Sequence, residues 1–128
     1  MMKEADVMEE HSGGCAKTPA ALKRFTEAAR RRETLYITLS QVPEGTVVTY
    51  GQLAELAGLG RAARWVGTQL RNLPDDSRLP WHRVINQAGR LGVSEGSEAW
   101  HEQCQRLRTE GVQVSNGRVS LQHYRWRP

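Results

Sequence analysis

The chain has 128 residues, of which 38% are hydrophobic and 25% are charged, and this composition indicates a single soluble domain without a membrane span or signal peptide. Its two cysteines, Cys15 and Cys104, exclude a disulfide framework and lack metal-ligand spacing, so we expect a reducing bacterial cytosol and no zinc. The net charge of +4 includes fifteen arginines against three lysines, which favours a nucleic-acid partner. High genomic GC content would give the same ratio, so composition alone does not decide the function.

The first third of the chain is predicted to be a tail followed by helices. Residues 1–17 are polar and acidic without periodicity, which predicts a disordered tail, and 18–128 have the pattern of one folded domain. A proline at the first turn predicts a short helix over 20–32. A second helical pattern begins near Arg31 and ends at a Pro-Glu-Gly stop, and its apolar positions are Leu35, Leu39 and Val42.

The clearest local pattern is that of two short helices joined by a glycine turn. Thr49 and Gln52 form a T-x-x-Q capping box, which marks the start of the first helix. Gly58 ends this helix, and the second helix is predicted over 61–70. The predicted buried side of the first helix consists of Leu53, Leu56 and Ala57.

The second of these helices has an apolar face and a basic face. The apolar face consists of Ala62, Val66 and Leu70. The opposite face spans about 80° and consists of Arg61, Arg64, Thr68 and Arg71. A helix-turn-helix with a basic second helix is typical of DNA-binding domains, although a solvated arginine face also occurs on ordinary surface helices.

The C-terminal half combines strands with one helix. The stretch 80–85 is β-prone, 97–110 has a helical pattern that ends at Gly111, and 112–121 is predicted to be a hairpin around an Asn-Gly turn. A hairpin beside a helix-turn-helix suggests a small wing. The predicted fold class is therefore α/β, a small, mainly helical domain of the winged-helix type with short strands.

Two stretches together resemble the O6-alkylguanine-DNA alkyltransferase family. The first is Tyr-Gly-Gln-Leu-Ala at 50–54 with Ala-Ala-Arg-Trp-Val-Gly at 62–67, and the second is Pro-Trp-His-Arg-Val-Ile at 80–85. In that family the second stretch reads Pro-Cys-His-Arg-Val, and its cysteine takes the alkyl group from guanine. Trp81 stands at the cysteine position here, a replacement that marks the non-enzymatic, alkyltransferase-like branch.

The resemblance implies a pocket without a nucleophile. An indole nitrogen only donates hydrogen bonds, so Trp81 is expected to form an apolar wall rather than to accept an alkyl group. His82 and Glu110 match the relay that activates the cysteine, and here they are expected to be vestigial and structural. Arg83 is expected to belong to the scaffold. The implied lesion pocket consists of Tyr50, Trp81, Val84 and Ser94, with the carbonyls of Trp81 and Val84 receiving the guanine amine and Ser94 on a lid loop over 92–96.

The resemblance also implies how the domain contacts DNA. Arg64 matches the arginine finger that fills the space of the extruded nucleotide, and Tyr50 matches the tyrosine that helps to rotate that nucleotide out. Small residues on the second helix permit close approach in the minor groove. The implied DNA contacts are Tyr50, Arg61, Ala62, Ala63, Arg64, Gly67, Thr68 and Arg71.

The resemblance predicts a monomeric protein that binds duplex DNA with O6-alkylguanine, flips the lesion and passes it to nucleotide excision repair proteins, without a cofactor, a metal or a membrane. Two alternatives remain: an active alkyltransferase that uses another cysteine, and a winged-helix regulator that reads sequence. Two residues depart from the family pattern. Trp65 stands where a small residue is usual, and Arg31 stands where an apolar residue is usual, so the first helix is expected to pack differently.

Overall fold

A computed structural model describes residues 19–128, with side chains from Thr26 onward. The predicted tail over 1–17 lies outside the described residues. The described chain divides into two units at Arg30, and every contact below lies within the second unit, 31–128. No helix in the described part of the chain is long and apolar enough to cross a membrane.

The domain is mainly helical with two short strands, which confirms the predicted fold class. Because the strands are only two residues long, helix packing and loops account for most of the structure. The elements in chain order are α1 (Pro19–Ser40), β1 (Val48–Thr49), α2 (Tyr50–Leu56), α3 (Ala63–Arg71), a 3₁₀ turn (Trp81–Arg83), β2 (Val84–Ile85), α4 (Glu98–Thr109) and α5 (Leu121–Tyr124).

The first helix is continuous, and the prediction of a separate short helix over 20–32 is wrong. The arginines at 30–32 are good helix formers, so the backbone passes through them without a break. The predicted apolar stripe is confirmed, because Leu35 and Leu39 are fully buried and Val42 is buried beyond the helix end.

The capping box at the start of α2 is half formed. Thr49 Oγ1 accepts a hydrogen bond from the Gln52 amide at 3.0 Å, as predicted. The Gln52 side chain does not return to Thr49 but donates through Nε2 to the Trp126 carbonyl at 2.7 Å. The capping glutamine therefore also fixes the C-terminal segment of the described chain beside α2.

The buried side of α2 is rotated from the predicted one. Leu53, Ala54 and Ala57 are buried, but Leu56 is 41% exposed, so its predicted burial is wrong. At 100° per residue these three buried positions centre on a direction about 100° away from Leu56. Beyond Ala57, Gly58 has a φ of 74°, which confirms the predicted glycine at the helix end.

The two-stranded sheet lies between two apolar clusters and contributes side chains to both. Val48 pairs with Val84 in parallel, and both side chains enter a cluster with α1, α2 and α3. Val47, which directly precedes β1, and Ile85 of β2 enter a second cluster with α4 and residues 112–119. Because side chains alternate along a strand, a two-residue sheet is enough to join both clusters.

Of the hairpin predicted over 112–121, the structure contains the turn but not the two paired strands, so the prediction of a hairpin is wrong. Asn116 and Gly117 have φ values of 54° and 72°, as an Asn-Gly turn requires. Antiparallel pairing around the turn is confined to Ser115 and Arg118. The chain then pairs with the preceding loop, since the Val119 amide donates to the Gly89 carbonyl at 2.8 Å, and it continues into α5.

Candidate nucleic-acid interface and base-binding cleft

An open cleft of about 1100 Å³ lies between α3, the 3₁₀ turn, the loop 92–94 and α4. Of the four residues predicted to form a pocket, Tyr50, Trp81 and Ser94 line this cleft. Gly67 and Arg71 of α3 line it as well. The cleft therefore adjoins the helix that was predicted to contact DNA.

Tyr50 lies against the backbone of the loop that closes one side of the cleft. A Cβ atom at Gly92 would overlap the Tyr50 hydroxyl and the adjoining edge of its ring. Burial raises the pKa of the Tyr50 hydroxyl, although the Arg71 charge opposes the shift. The hydroxyl is therefore neutral at physiological pH, and the ring has a fixed place beside the loop.

We expect Gly92→Ala to destabilise the protein by about 1–3 kcal/mol, because the added methyl group must displace the Tyr50 ring. Denaturant unfolding at neutral pH measures the effect. Gly51→Ala is the control, since a Cβ there meets nothing within 4 Å and alanine favours the helix. An equal penalty in a Tyr50→Leu background would show that the ring is not the cause.

Trp81 is half-buried on the cleft wall and has charged and aromatic neighbours. The Arg106 guanidinium lies over the indole, 5.6 Å from the ring centroid. The His82 ring is edge-on to the indole at a centroid distance of 6.3 Å. Glu102, one turn earlier on α4, holds Arg106 through an ion pair of 2.6 Å.

The predicted relay residues form a buried polar network behind Trp81. His82 Nε2 and Glu110 Oε2 are 2.7 Å apart. The Arg83 guanidinium donates to the same carboxylate at 2.6–3.1 Å and to the Val42 carbonyl at 2.7 Å. The Gly45 amide donates to Glu110 Oε1 at 3.1 Å. Arg83 of the 3₁₀ turn thus connects the segment after α1 with the C-terminal cap of α4, as expected of a scaffold residue.

The network fixes the protonation states of its members. Burial alone would raise the pKa of Glu110, but hydrogen bonds from Arg83, His82 and Gly45 outweigh it and lower the pKa to about 2. Burial lowers the pKa of His82, and the partial compensation by Glu110 does not reverse that shift. A neutral His82 beside an ionised Glu110 must donate through Nε2, which leaves the buried Nδ1 as an acceptor without a hydrogen-bond partner in the structure.

Gln103 is a site residue that the sequence did not indicate. It is 1% exposed, and its Nε2 donates to the carbonyls of His82 and Val84 at 3.1 and 3.0 Å. Val84 itself is buried and does not line the cleft, unlike the other three predicted pocket residues. Its carbonyl, which the resemblance assigns to guanine, is engaged by Gln103. The one signal available in the sequence was that a polar residue, Gln103, occupies the side of α4 that carries the buried residue Leu107.

The basic face of α3 is exposed as the helical wheel predicts. The exposed residues of this face and its N-terminal end are Arg61, Ala63, Arg64, Thr68 and Arg71, whereas Ala62, Val66 and Gly67 are buried. Arg71 donates to Thr68 Oγ1 at 3.3 Å, and Thr68 donates to the Arg64 carbonyl at 3.2 Å. The helix begins at Ala63, later than predicted, and Ala62 provides no side-chain cap.

The two departures from the family pattern contact each other. The Arg31 guanidinium lies over the Trp65 ring, 5.0 Å from its centroid. Trp65 also packs against the cluster that contains Val66, so it faces the protein rather than the exposed arginine face. The tryptophan is therefore held between α1 and α3 by a cation–π contact.

No group of three or more potential ligands lies together within the described residues, so a metal site is not found there. Cys104 is buried at 4% exposure, and it does not line the cleft. Burial raises the pKa of its thiol, which disfavours the reactive thiolate.

Fold and cleft together define a small DNA-binding domain. Residues 30–112 match the family described as 6-O-methylguanine DNA methyltransferase, DNA binding domain, and the chain belongs to this family. It is 49% identical to the DNA base-flipping protein of Escherichia coli (strain K12) over 69% of this chain and 67% of that protein. It is 33% identical to alkyltransferase-like protein 1 of Schizosaccharomyces pombe over 73% of this chain and 92% of that protein.

A solved structure agrees with these sequence relatives. The crystal structure of Schizosaccharomyces pombe Atl1 in complex with damaged DNA containing O6-carboxymethylguanine matches with a TM-score of 0.73. The match covers 78% of this chain and 97% of that one, at 31% identity. The resemblance inferred from the two sequence stretches is thereby confirmed.

Proposed function

We propose that this protein recognises O6-alkylguanine in duplex DNA by flipping the damaged nucleotide into the cleft, and that it does not repair the base. The observation that carries the proposal is the position of Trp81 on the wall of a cleft that adjoins the exposed arginine face of α3. Relatives named for base flipping, and one bound to damaged DNA, support the same function.

The interface and the cleft share residues, which suits a flipping protein. Arg71 belongs to the exposed face of α3 and also lines the cleft, and Gly67 lies between them with Tyr50 near its backbone. A nucleotide that leaves the duplex beside α3 therefore enters the cleft directly. The small, exposed side chain of Ala63 lets the start of the helix approach the minor groove, whereas Ala62 is buried in the core. Arg64 is exposed and can enter the stack in place of the flipped nucleotide.

No cysteine lines the cleft within the described residues, so the thiolate that accepts the alkyl group in the family has no counterpart on its wall. Alkyl transfer requires a nucleophile such as a thiolate, and the indole of Trp81 has no available lone pair. Cys104, the cysteine within the described residues, is buried away from the cleft. The network of His82 and Glu110 then keeps the 3₁₀ turn in place rather than activating a thiol.

Because the base is left unchanged, a second activity must remove it. We propose that a monomer of this protein in the bacterial cytosol marks the lesion for nucleotide excision repair, which cuts out a stretch of damaged strand whatever the adduct. No cofactor or metal is required for recognition of this kind.

Competition binding with duplexes that contain guanine or O6-methylguanine tests the proposal, and we expect clear preference for the lesion. A parallel incubation with DNA carrying a radiolabelled methyl group tests for transfer. Label on the protein would establish the alkyltransferase alternative. Preference among undamaged sequences with indifference to alkylation would instead establish a sequence-reading regulator.

A further inference from the structure

We infer that Arg106 selects among O6 adducts and favours those whose substituent carries a negative charge. The inference rests on the proposed function, because it concerns a base placed in the same cleft. It begins from the position of Arg106, which lines the cleft and lies over the Trp81 ring.

The first step locates the adduct. Under the proposed function the flipped base enters the cleft, and Trp81 forms part of the cleft wall that its substituent would meet. The Arg106 guanidinium is 5.6 Å from the centre of the indole. A substituent of two or three heavy atoms that contacts the Trp81 ring beside Arg106 would come within hydrogen-bonding range of this half-exposed side chain.

The second step concerns charge. The other charged residues along the cleft are Arg71, Asp75, Glu98 and Glu102, and Glu102 pairs directly with Arg106. The side chains of this pair are 42% and 49% exposed, so the pair is weak and readily shared. A guanidinium has five N–H donors, which allows it to bind a second carboxylate while it keeps the first.

The third step separates charge from size. A neutral substituent of the same shape packs on Trp81 equally well but gains no charge-assisted hydrogen bond from Arg106. A carboxylate gains that bond and experiences repulsion from Glu102. Arg106 and Glu102 should therefore shift the preference for an anionic adduct in opposite directions.

The experiment compares O6-carboxymethylguanine with its neutral isostere, O6-carbamoylmethylguanine, in otherwise identical duplexes. We expect wild type to prefer the anionic adduct, Arg106→Gln to reduce that preference about five- to tenfold, and Glu102→Gln to increase it by about two- to fivefold. Arg106→Lys keeps the charge without the planar fork and should retain part of the preference. Because both side chains are half-exposed, the variants are expected to fold, and thermal unfolding of each variant checks this.

Each other outcome is decisive. An unchanged ratio in Arg106→Gln would overturn the inference, and equal weakening of every duplex, undamaged DNA included, would make Arg106 an ordinary phosphate contact. O6-methylguanine and guanine duplexes are measured alongside. If wild type does not distinguish these two, the proposed function fails; if it does distinguish them but the ratio is unchanged, only the role of Arg106 fails.

Discussion

Glu110→Gln is expected to destabilise the protein by about 3 kcal/mol, because it removes one member of a buried ion pair and leaves the other uncompensated. The Glu110 and Arg83 side chains are only 10% and 16% exposed, so water cannot replace the lost partner. Glutamine keeps the size of the side chain and one acceptor oxygen, which isolates the effect of the charge. Urea unfolding at pH 7 measures the change in the free energy of unfolding.

Glu102→Gln is the matched control for that substitution. It removes the same charge from a half-exposed pair with Arg106, so we expect a change of no more than about 0.5 kcal/mol. A similar small effect at Glu110 would mean that the network behind Trp81 does not hold the fold together.

The same network predicts that stability falls on acidification. The pKa of Glu110 is about 2 in the folded protein and near 4.5 when unfolded, so its stabilising contribution is lost as the pH falls from about 5 toward 2. His82 is neutral and buried, and its pKa is lowered in the folded protein. On acidification the unfolded state therefore takes up this proton at a higher pH, near 6.5, than the folded state does. Both groups make the unfolded state take up more protons. In Glu110→Gln, the loss of stability between pH 5 and 2 should be smaller than in wild type.

Arg64→Ala is expected to lower the preference for O6-methylguanine over guanine by about 1–3 kcal/mol, or roughly five- to 150-fold. Arg64 is exposed on α3, and its proposed contact forms only after the nucleotide has left the stack. Its removal leaves a gap in the duplex and an unpaired cytosine, so the cost falls on the flipped complex. Titrations of both duplexes at several salt concentrations measure the preference.

Arg61→Ala provides the comparison, because Arg61 is exposed just before α3 and is expected to contact phosphate. It should weaken binding to damaged and undamaged duplexes alike and reduce the salt slope by about one. If Arg64→Ala behaves in the same way and the lesion preference is unchanged, Arg64 is a phosphate contact and not a finger.

Local rules of the sequence predicted the helices well and the pairing of segments poorly. The Thr49 cap, the Gly58 stop and the faces of α3 all depend on residues within one or two turns, and all appear in the structure. The hairpin failed because Val119 pairs with Gly89, a choice that depends on a loop 30 residues away. Leu56 was misplaced because the sequence does not say where the core lies around a seven-residue helix.

The residues of the candidate site also divide into those that local motifs predicted and those whose roles depend on distant contacts. The two motif stretches contain Tyr50, Trp81 and His82, because these residue types are distinctive at their positions, whereas Glu110 was assigned from its match to the relay partner alone. Gln103 escaped notice because its role depends on two carbonyls, those of His82 and Val84, about 20 residues earlier. The contact between Arg31 and Trp65 could not be predicted for the same reason, although each residue alone stood out as unusual.

The Glu110 network also has a consequence for the lifetime of the folded state. Its carboxylate binds the amide of Gly45, 65 residues earlier, and Arg83 binds the carbonyl of Val42, 41 residues earlier. Closing loops of this length costs chain entropy, so these bonds are expected to form after the local helices, on the native side of the folding barrier. Interactions absent at the barrier slow unfolding without speeding folding. The buried Glu110 carboxylate should therefore mainly slow unfolding, which lengthens the lifetime of the folded state.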